Sequence, residues 1–300
     1  MKTRSLISII VIYLAVWSHQ QGSTSAQEIF VTYQTNIVGD HIGGVAKYSL
    51  SSDTLNPNFI TGLQEAEGIA VSGSSVYVAS QGVIAQYTTS GVLLDPSLLV
   101  RRDAATGLAV SGINIFTASQ LNSGSIGEYN TLGATVNDNL ITPLGAPVSI
   151  IVSGTNLFVG ASDYVNEYTT SGVFVRQLLS GANITGSIAI SGSDLFVSDV
   201  RGIDLFNLDN LTKFPLTIFS ANPGSLASVG SDLIATDPLN NRVVDYKITH
   251  PPSGTTLAFS HEFSVPYPIA IAVIGVPEPS SMVLAILGLA ALVGSRWRKT

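Results

Sequence analysis

Short apolar runs rich in Val, Ile, Phe and Tyr, bounded by Ser-Gly, Asn or Asp, follow one another along almost the whole chain. Five of them read GIAVSG (68–73), GLAVSG (107–112), SIIVSG (149–154), SIAISG (187–192) and SLASVG (225–230), and PIAIAV (268–273) is a sixth without the turn; their starts lie 38 to 43 residues apart. A second run follows each of the five, from Val76, Ile115, Leu157, Leu195 and Leu233, and its counterpart at the front of the chain begins at Ile29. The third run carries an aromatic residue at a matching place: Tyr48, Tyr87, Tyr129, Tyr168, Phe206 and Tyr246. A looser fourth run is seen from Val92 and from Phe174. Runs this short and this rich in β-branched and aromatic residues predict strands, not helices. Ser-Gly between the first and second runs, and Thr-Ser-Gly at 89–91 and 170–172, are turn chemistry for antiparallel hairpins.

Four strands in about 40 residues is the period of a propeller blade. The chain starts on a second strand and finishes on a first, which gives six of each. The pattern therefore predicts an all-β, six-bladed β-propeller in which the C-terminal strand completes the first blade, a closure that protects the sheet edges. Alanine is the third residue of five of the six first strands (Ala70, Ala109, Ala189, Ala227 and Ala270, with Ile151 the exception), as suits a crowded strand near the axis. The repeat is similar to NHL-type and YVTN-type propeller repeats over about residues 28–275.

The two ends read differently. Lys2 and Arg4, an apolar run from Leu6 to Trp17 and small residues up to Ala26 predict a secretory signal peptide over 1–26. The run is too short to span a bilayer, which takes about 20 apolar residues. At the other end, Val276, Pro277, Glu278 and Pro279 precede an apolar stretch from Met282 to Val293 and the basic residues Arg296, Arg298 and Lys299. This segment, 276–300, resembles the PEP-CTERM sorting signal of bacterial exported proteins. The resemblance implies a transmembrane sorting helix that anchors the chain transiently in the inner membrane with its basic end inside. It also implies exosortase as the processing partner, and the cell surface or extracellular space as destination. An uncut single-pass anchor is the alternative fate. The propeller is then the domain at 27–275.

Composition narrows the chemistry. With 45% hydrophobic and 11% charged residues the chain is not a charge-driven disordered protein, and zero cysteines exclude disulfides, thiol nucleophiles and zinc-thiolate sites. Residues 27–275 hold eight basic and nineteen acidic side chains, a formal charge of −11. Such a surface lacks the basic footprint of a nucleic-acid binder.

Propellers bind ligands at the axial mouth, where the second strands end. The residues there are Gln34, Gln81, Gln120, Asp163, Asp199 and Asp237. As a ring, three carboxylates and three amides would suit a hard cation such as Ca²⁺; the competing expectation is that they cap their own turns. Glu65, Glu67, Arg101, Arg102 and Asp103 fall on interblade connections at the same end. No G-x-S-x-G, Walker, G-x-G-x-x-G or H-E-x-x-H motif is present, and His41, His250 and His261 read as loop residues. The repeated tyrosines read as packing between blades rather than as sugar-stacking faces. The sequence thus predicts a non-catalytic binding or structural protein that needs no cofactor, with extracellular polysaccharide or surface proteins as partners. The alternative is a Ca²⁺-dependent hydrolase or lyase in the axial mouth, as resemblance to gluconolactonase-like propellers would imply.

Overall fold

The computed structural model describes residues 27–35, 41–50, 53–101, 105–121, 123–181, 184–214, 223–251 and 254–274. The segments read as signal peptide (1–26) and sorting helix (276–300) lie outside the described residues. Glu28–Ile274 is one compact unit.

Within it, six antiparallel sheets of four strands each form the blades. The inner strands are Pro268–Ile274, Ala66–Ser72, Gly107–Ser111, Pro147–Ser153, Ile184–Ser191 and Leu226–Val229. In the first blade Pro268–Ile274 lies beside Glu28–Gln34, which is followed outward by Ile42–Ser49 and Thr54–Gln64. The C-terminal strand therefore completes the first blade, as the repeat count requires. Its register runs from Glu28 opposite Ile274 to Tyr33 opposite Pro268, with a bulge between Thr32 and Tyr33.

That register moves one expected position. In the second blade Ala70 lies opposite Tyr77, and in the first blade the residue opposite the equivalent Phe30 is Ala272. Ala270 sits two places nearer the strand's start, opposite Thr32. The repeat read from sequence alone sets the sixth unit two residues off, because side-chain direction in a strand repeats every two residues and a slip of two leaves the pattern of faces unchanged.

The aromatic of each third strand is buried, as the repeat predicts. Tyr48 of the first blade packs with Ile234, Val243 and Phe263 of the sixth, and its ring stacks on Phe263 at 4.1 Å. Tyr87 closes the next interface, where Phe30, Val45 and Ile60 meet Ile69, Val76 and Val78. Burying each such side chain contributes roughly 1.5–3 kcal/mol, so the ring is held mainly by blade-to-blade packing.

The residue before each aromatic is polar in five blades, and in four of them it pairs with the start of the second strand. Lys47 meets Glu28 at 2.8 Å, Gln86 meets Ser75 at 3.0 Å, Glu128 meets Asn114 at 2.9 Å and Glu167 meets Asn156 at 2.6 Å. Glu167 is buried and the other three are partly buried, and the pairs keep a hydrogen-bonding partner for each of them.

Candidate functional site

Each inner strand is the edge of its sheet, so its amides on the axial side have no strand partner and need another one. Hydroxyls from neighbouring blades meet that need at the end where the inner strands begin. Ser149 Oγ accepts from the Ile188 amide at 3.3 Å, and Ser225 Oγ accepts from the Ile271 amide at 3.2 Å. Carbonyls are tied in the same way. Thr32 donates to the Glu67 carbonyl at 3.0 Å, Thr106 to that of Pro147 at 3.1 Å and Ser198 to that of Gly224 at 3.3 Å. At the junction of the second and third blades the strands approach closely instead: a Cβ on Gly68 would lie 3.0 Å from the Ala105 carbonyl oxygen and 3.2 Å from the Leu108 side chain.

This hydroxyl belt surrounds a cavity of about 240 Å³ on the propeller axis. Its rim is Glu67, Thr106, Ser149, Ser187 and Ser225, and Ile69, Leu108, Ile150, Leu226 and Ile271 form its floor. The same five aliphatic residues cap a second cavity of about 290 Å³ further down the channel, walled by Val71, Val110, Val152, Ile190 and Val273. Ser153 and Ser228 also line this second cavity, so aliphatic side chains and polar groups share the wall along the channel.

Glu67 is the acid of the mouth. Its Oε2 is buried and has no hydrogen-bond partner. Burial, and secondarily the neighbouring Glu65, holds its carboxyl above the usual carboxylate range. No Lys, Arg, His or aromatic residue lines the cavity among the described residues.

The six residues expected at the mouth do not line this cavity. Gln81, Gln120 and Asp163 are exposed, and Gln34 is half-buried with its backbone N–H donating to the Tyr267 carbonyl at 3.2 Å. Asp199 is buried and accepts from the Arg201 amide at 2.6 Å and the Arg201 guanidinium at 3.3 Å. Asp237, fully buried, caps the short 3-10 turn Pro238–Asn240 and accepts from Arg242 Nε at 2.9 Å. Among the described residues no three His, Cys, Asp or Glu side chains are grouped so as to hold a metal ion. Asp199 and Asp237 follow the competing expectation, that the side chain caps the turn directly after its strand.

Other expectations shift likewise. Arg101 reaches between blades, donating to Thr117 Oγ1 at 2.8 Å and to the Tyr129 hydroxyl. Arg102 and Asp103 lie outside the described residues. His261 is on the outer strand Thr256–Ser264, not in a loop, with Nδ1 3.1 Å from the fully buried Asp245 carboxylate. His250 is exposed but meets Asp194 at 3.0 Å. What the sequence reading missed is the hydroxyl belt. Its signal was there: Ser149, Ser187 and Ser225 recur 38 residues apart at one repeat position, where Gly68 and Gly107 stand in two other blades.

Residues 275–299 match the family described as the PEP-CTERM protein-sorting motif. No curated protein matches the chain. Among solved structures, a chain of a nidogen/laminin complex is 17% identical with a TM-score of 0.67, covering 82% of this chain and 98% of its own. A structure described as a 6-phosphogluconolactonase from Bacteroides fragilis is 13% identical with a TM-score of 0.61, covering 84% of this chain and 99% of its own. At these identities the likeness concerns the fold. The chain is therefore a six-bladed β-propeller that carries, directly after its ring-closing strand, the PEP-CTERM motif of exported proteins recognised by exosortase.

Proposed function

We propose that this is a non-catalytic binding protein of the cell surface or extracellular matrix, whose ligand enters the axial mouth. The observation that carries the reading is the cavity itself: a space of about 240 Å³ on the axis, lined by Glu67 and by the hydroxyl residues Thr106, Ser149, Ser187 and Ser225. The described lining supplies an acid and hydroxyls but no histidine, lysine or cysteine to serve as their base or as a nucleophile, which favours binding over acyl or glycosyl transfer. Extracellular polysaccharide and surface proteins are the partners this destination offers.

The test uses the full chain in a host that carries an exosortase, beside a chain lacking 276–300 and one whose mouth is filled by Ala270→Leu. The tail-less chain is expected to lose surface deposition. The filled chain is expected to be deposited normally and to wash out of the matrix more readily. Equal retention of the filled and unaltered chains would overturn the axial-mouth reading, and turnover of matrix polysaccharide abolished by Glu67→Gln would replace it with an enzymatic one.

A further inference from the structure

We propose that the hairpin end of the second, third and fourth blades is a lipid-contact surface, on which the propeller rests while its tail holds it to the membrane. The inference rests on the sorting motif acting at a membrane and not on the axial-mouth reading. Chain direction places this end. Every inner strand starts at the mouth, so the hairpins joining first to second strands, and those joining third to outer strands, gather at the opposite end of each sheet. Backbone bonds hold the two hairpins of a blade side by side: the Thr89 N–H donates to the Ser74 carbonyl at 3.0 Å, that of Thr131 to Ile113 at 2.8 Å and that of Thr170 to Thr155 at 2.9 Å. Ile274, opposite Glu28 in the first blade, finishes at the same end.

Two observations select lipid as the occupant. One is the make-up of this end. The residue after the first turn glycine is Ser74, Thr155, Ser193 or Ser231 in four blades but Ile113 in the third, and the residue before the second turn glycine is Ser90 or Ser171 in the flanking blades but Leu132 in the third. Ile113 is 72% exposed and Leu132 88%, so neither packs into the fold, and hydroxyls serve the same turns elsewhere. Val92, Val173 and Phe174 are exposed beside the turns of the flanking blades. The six hairpins, 72–75, 88–92, 111–114, 130–134, 153–156 and 169–173, contain no charged residue, in a body with eight basic and nineteen acidic side chains. Apolar side chains on an uncharged, hydroxyl-bearing end suit the bilayer interface, where binding grows with the apolar area buried. The other observation is reach. Seven residues, 275–281, separate Ile274 from the apolar stretch that begins at Met282, and fully extended they span at most about 25 Å. An anchored tail therefore keeps this end within that distance of the bilayer whatever the tilt of the propeller, and at such an effective concentration a small apolar contact suffices. A second copy of the chain has no such tether.

The chain has no cysteine, so a single introduced one can carry an environment-sensitive NBD label. Full-length chains labelled at Ile113→Cys, Leu132→Cys or Phe174→Cys, and at the exposed mouth-end positions Val200→Cys and Leu239→Cys, are reconstituted into phosphatidylcholine–phosphatidylglycerol vesicles with and without nitroxide lipid. The hairpin-end labels are expected to shift to shorter wavelength on reconstitution and to lose emission to the nitroxide, and the mouth-end labels to do neither. Ile113→Ser with Leu132→Ser is expected to reduce the quenching of the Phe174→Cys label at an unchanged melting temperature. Labels at the two ends quenched alike, or quenched at neither, would overturn the proposal. Quenching that ignores the double serine variant would overturn it too, since the tether alone then brings the label near. A blue shift that persists in detergent and fades on dilution of the protein would assign the surface to a second copy instead. A chain that does not float with the vesicles lacks the anchor the proposal requires and sinks it as well. Each of these failures leaves the axial-mouth reading to the matrix-retention experiment.

Discussion

Asp245 is the least comfortable residue in the propeller. It stands where other blades carry Lys47, Gln86, Glu128 or Glu167, but its carboxyl is fully buried and faces His261 across the strand pair. Burial, and then the nearby Asp232, push it up to about 6 from an ordinary 3.8. A carboxyl raised in the folded state binds its proton more tightly there than in the unfolded chain. Its contribution is therefore fully present below about pH 4 and is lost as pH rises through 6. Asp245→Asn is expected to stabilise the chain by on the order of 2 kcal/mol at pH 7, with the gain fading towards pH 4; urea titrations of both proteins across that range check it, and a gain that grows on acidification would refute it. Residue identity at this position was legible from the repeat. The environment was not, because only the fold brings Asp232 and His261 against it. The same holds for Asp199 and Asp237: their place in the repeat was readable, but the arginines two and five residues on, which occupy them, were not read as their partners.

At the scale of the element, the inner strands were the most readable part of the chain and their joints the least. Strand alternation and Ser-Gly turns survive in sequence because each blade must bury one pattern of side chains. The hydroxyl belt depends on contacts between residues 26 to 46 apart, as with Ser198 and Gly224 or Ser225 and Ile271, and no local pattern encodes them. Thr32 is the sharpest case, fully buried, donating to the Glu67 carbonyl and accepting from the Ala270 amide at 3.0 Å. Thr32→Val keeps the shape and removes both bonds. It is expected to cost about 1–3 kcal/mol, seen as a lower denaturation midpoint with an unchanged slope. The hairpin turns between third and outer strands carry a second joint. Gly133 holds φ +83°, and a Cβ there would lie 2.4 Å from the Leu98 carbonyl oxygen of the preceding blade. Gly133→Ala is expected to cost more than the 0.4–1 kcal/mol that the same exchange gains at unstrained sites, and a midpoint at or above that of the unaltered chain would show that the turn does not dock as described.

For the molecule as a whole, the number of blades and the closure came from counting strands, and the structure agrees on both. Closure is also where the ring is vulnerable. Removing Pro268–Ile274 leaves the strand Glu28–Gln34 with a bare edge whose residues Ile29, Phe30 and Val31 are fully buried in the intact ring. A chain stopped after Tyr267 is expected to aggregate or to melt without a cooperative transition, as light scattering and calorimetry would show; a sharp, soluble transition near that of the full chain would mean that the five remaining blades close without it.

That same pairing sets an order in time. Thr32 and Ala270, partners in the finished ring, are 238 residues apart, and protein chains are made from the N-terminus. The earliest strand of the propeller must wait for the latest before either is covered. Such long-range pairing is slow to form, and no fragment released early can satisfy it. The seam therefore works as a test of completeness: only a chain translated through Ile274 can hide its first strand, while any shorter product keeps displaying an apolar edge that proteases and chaperones recognise.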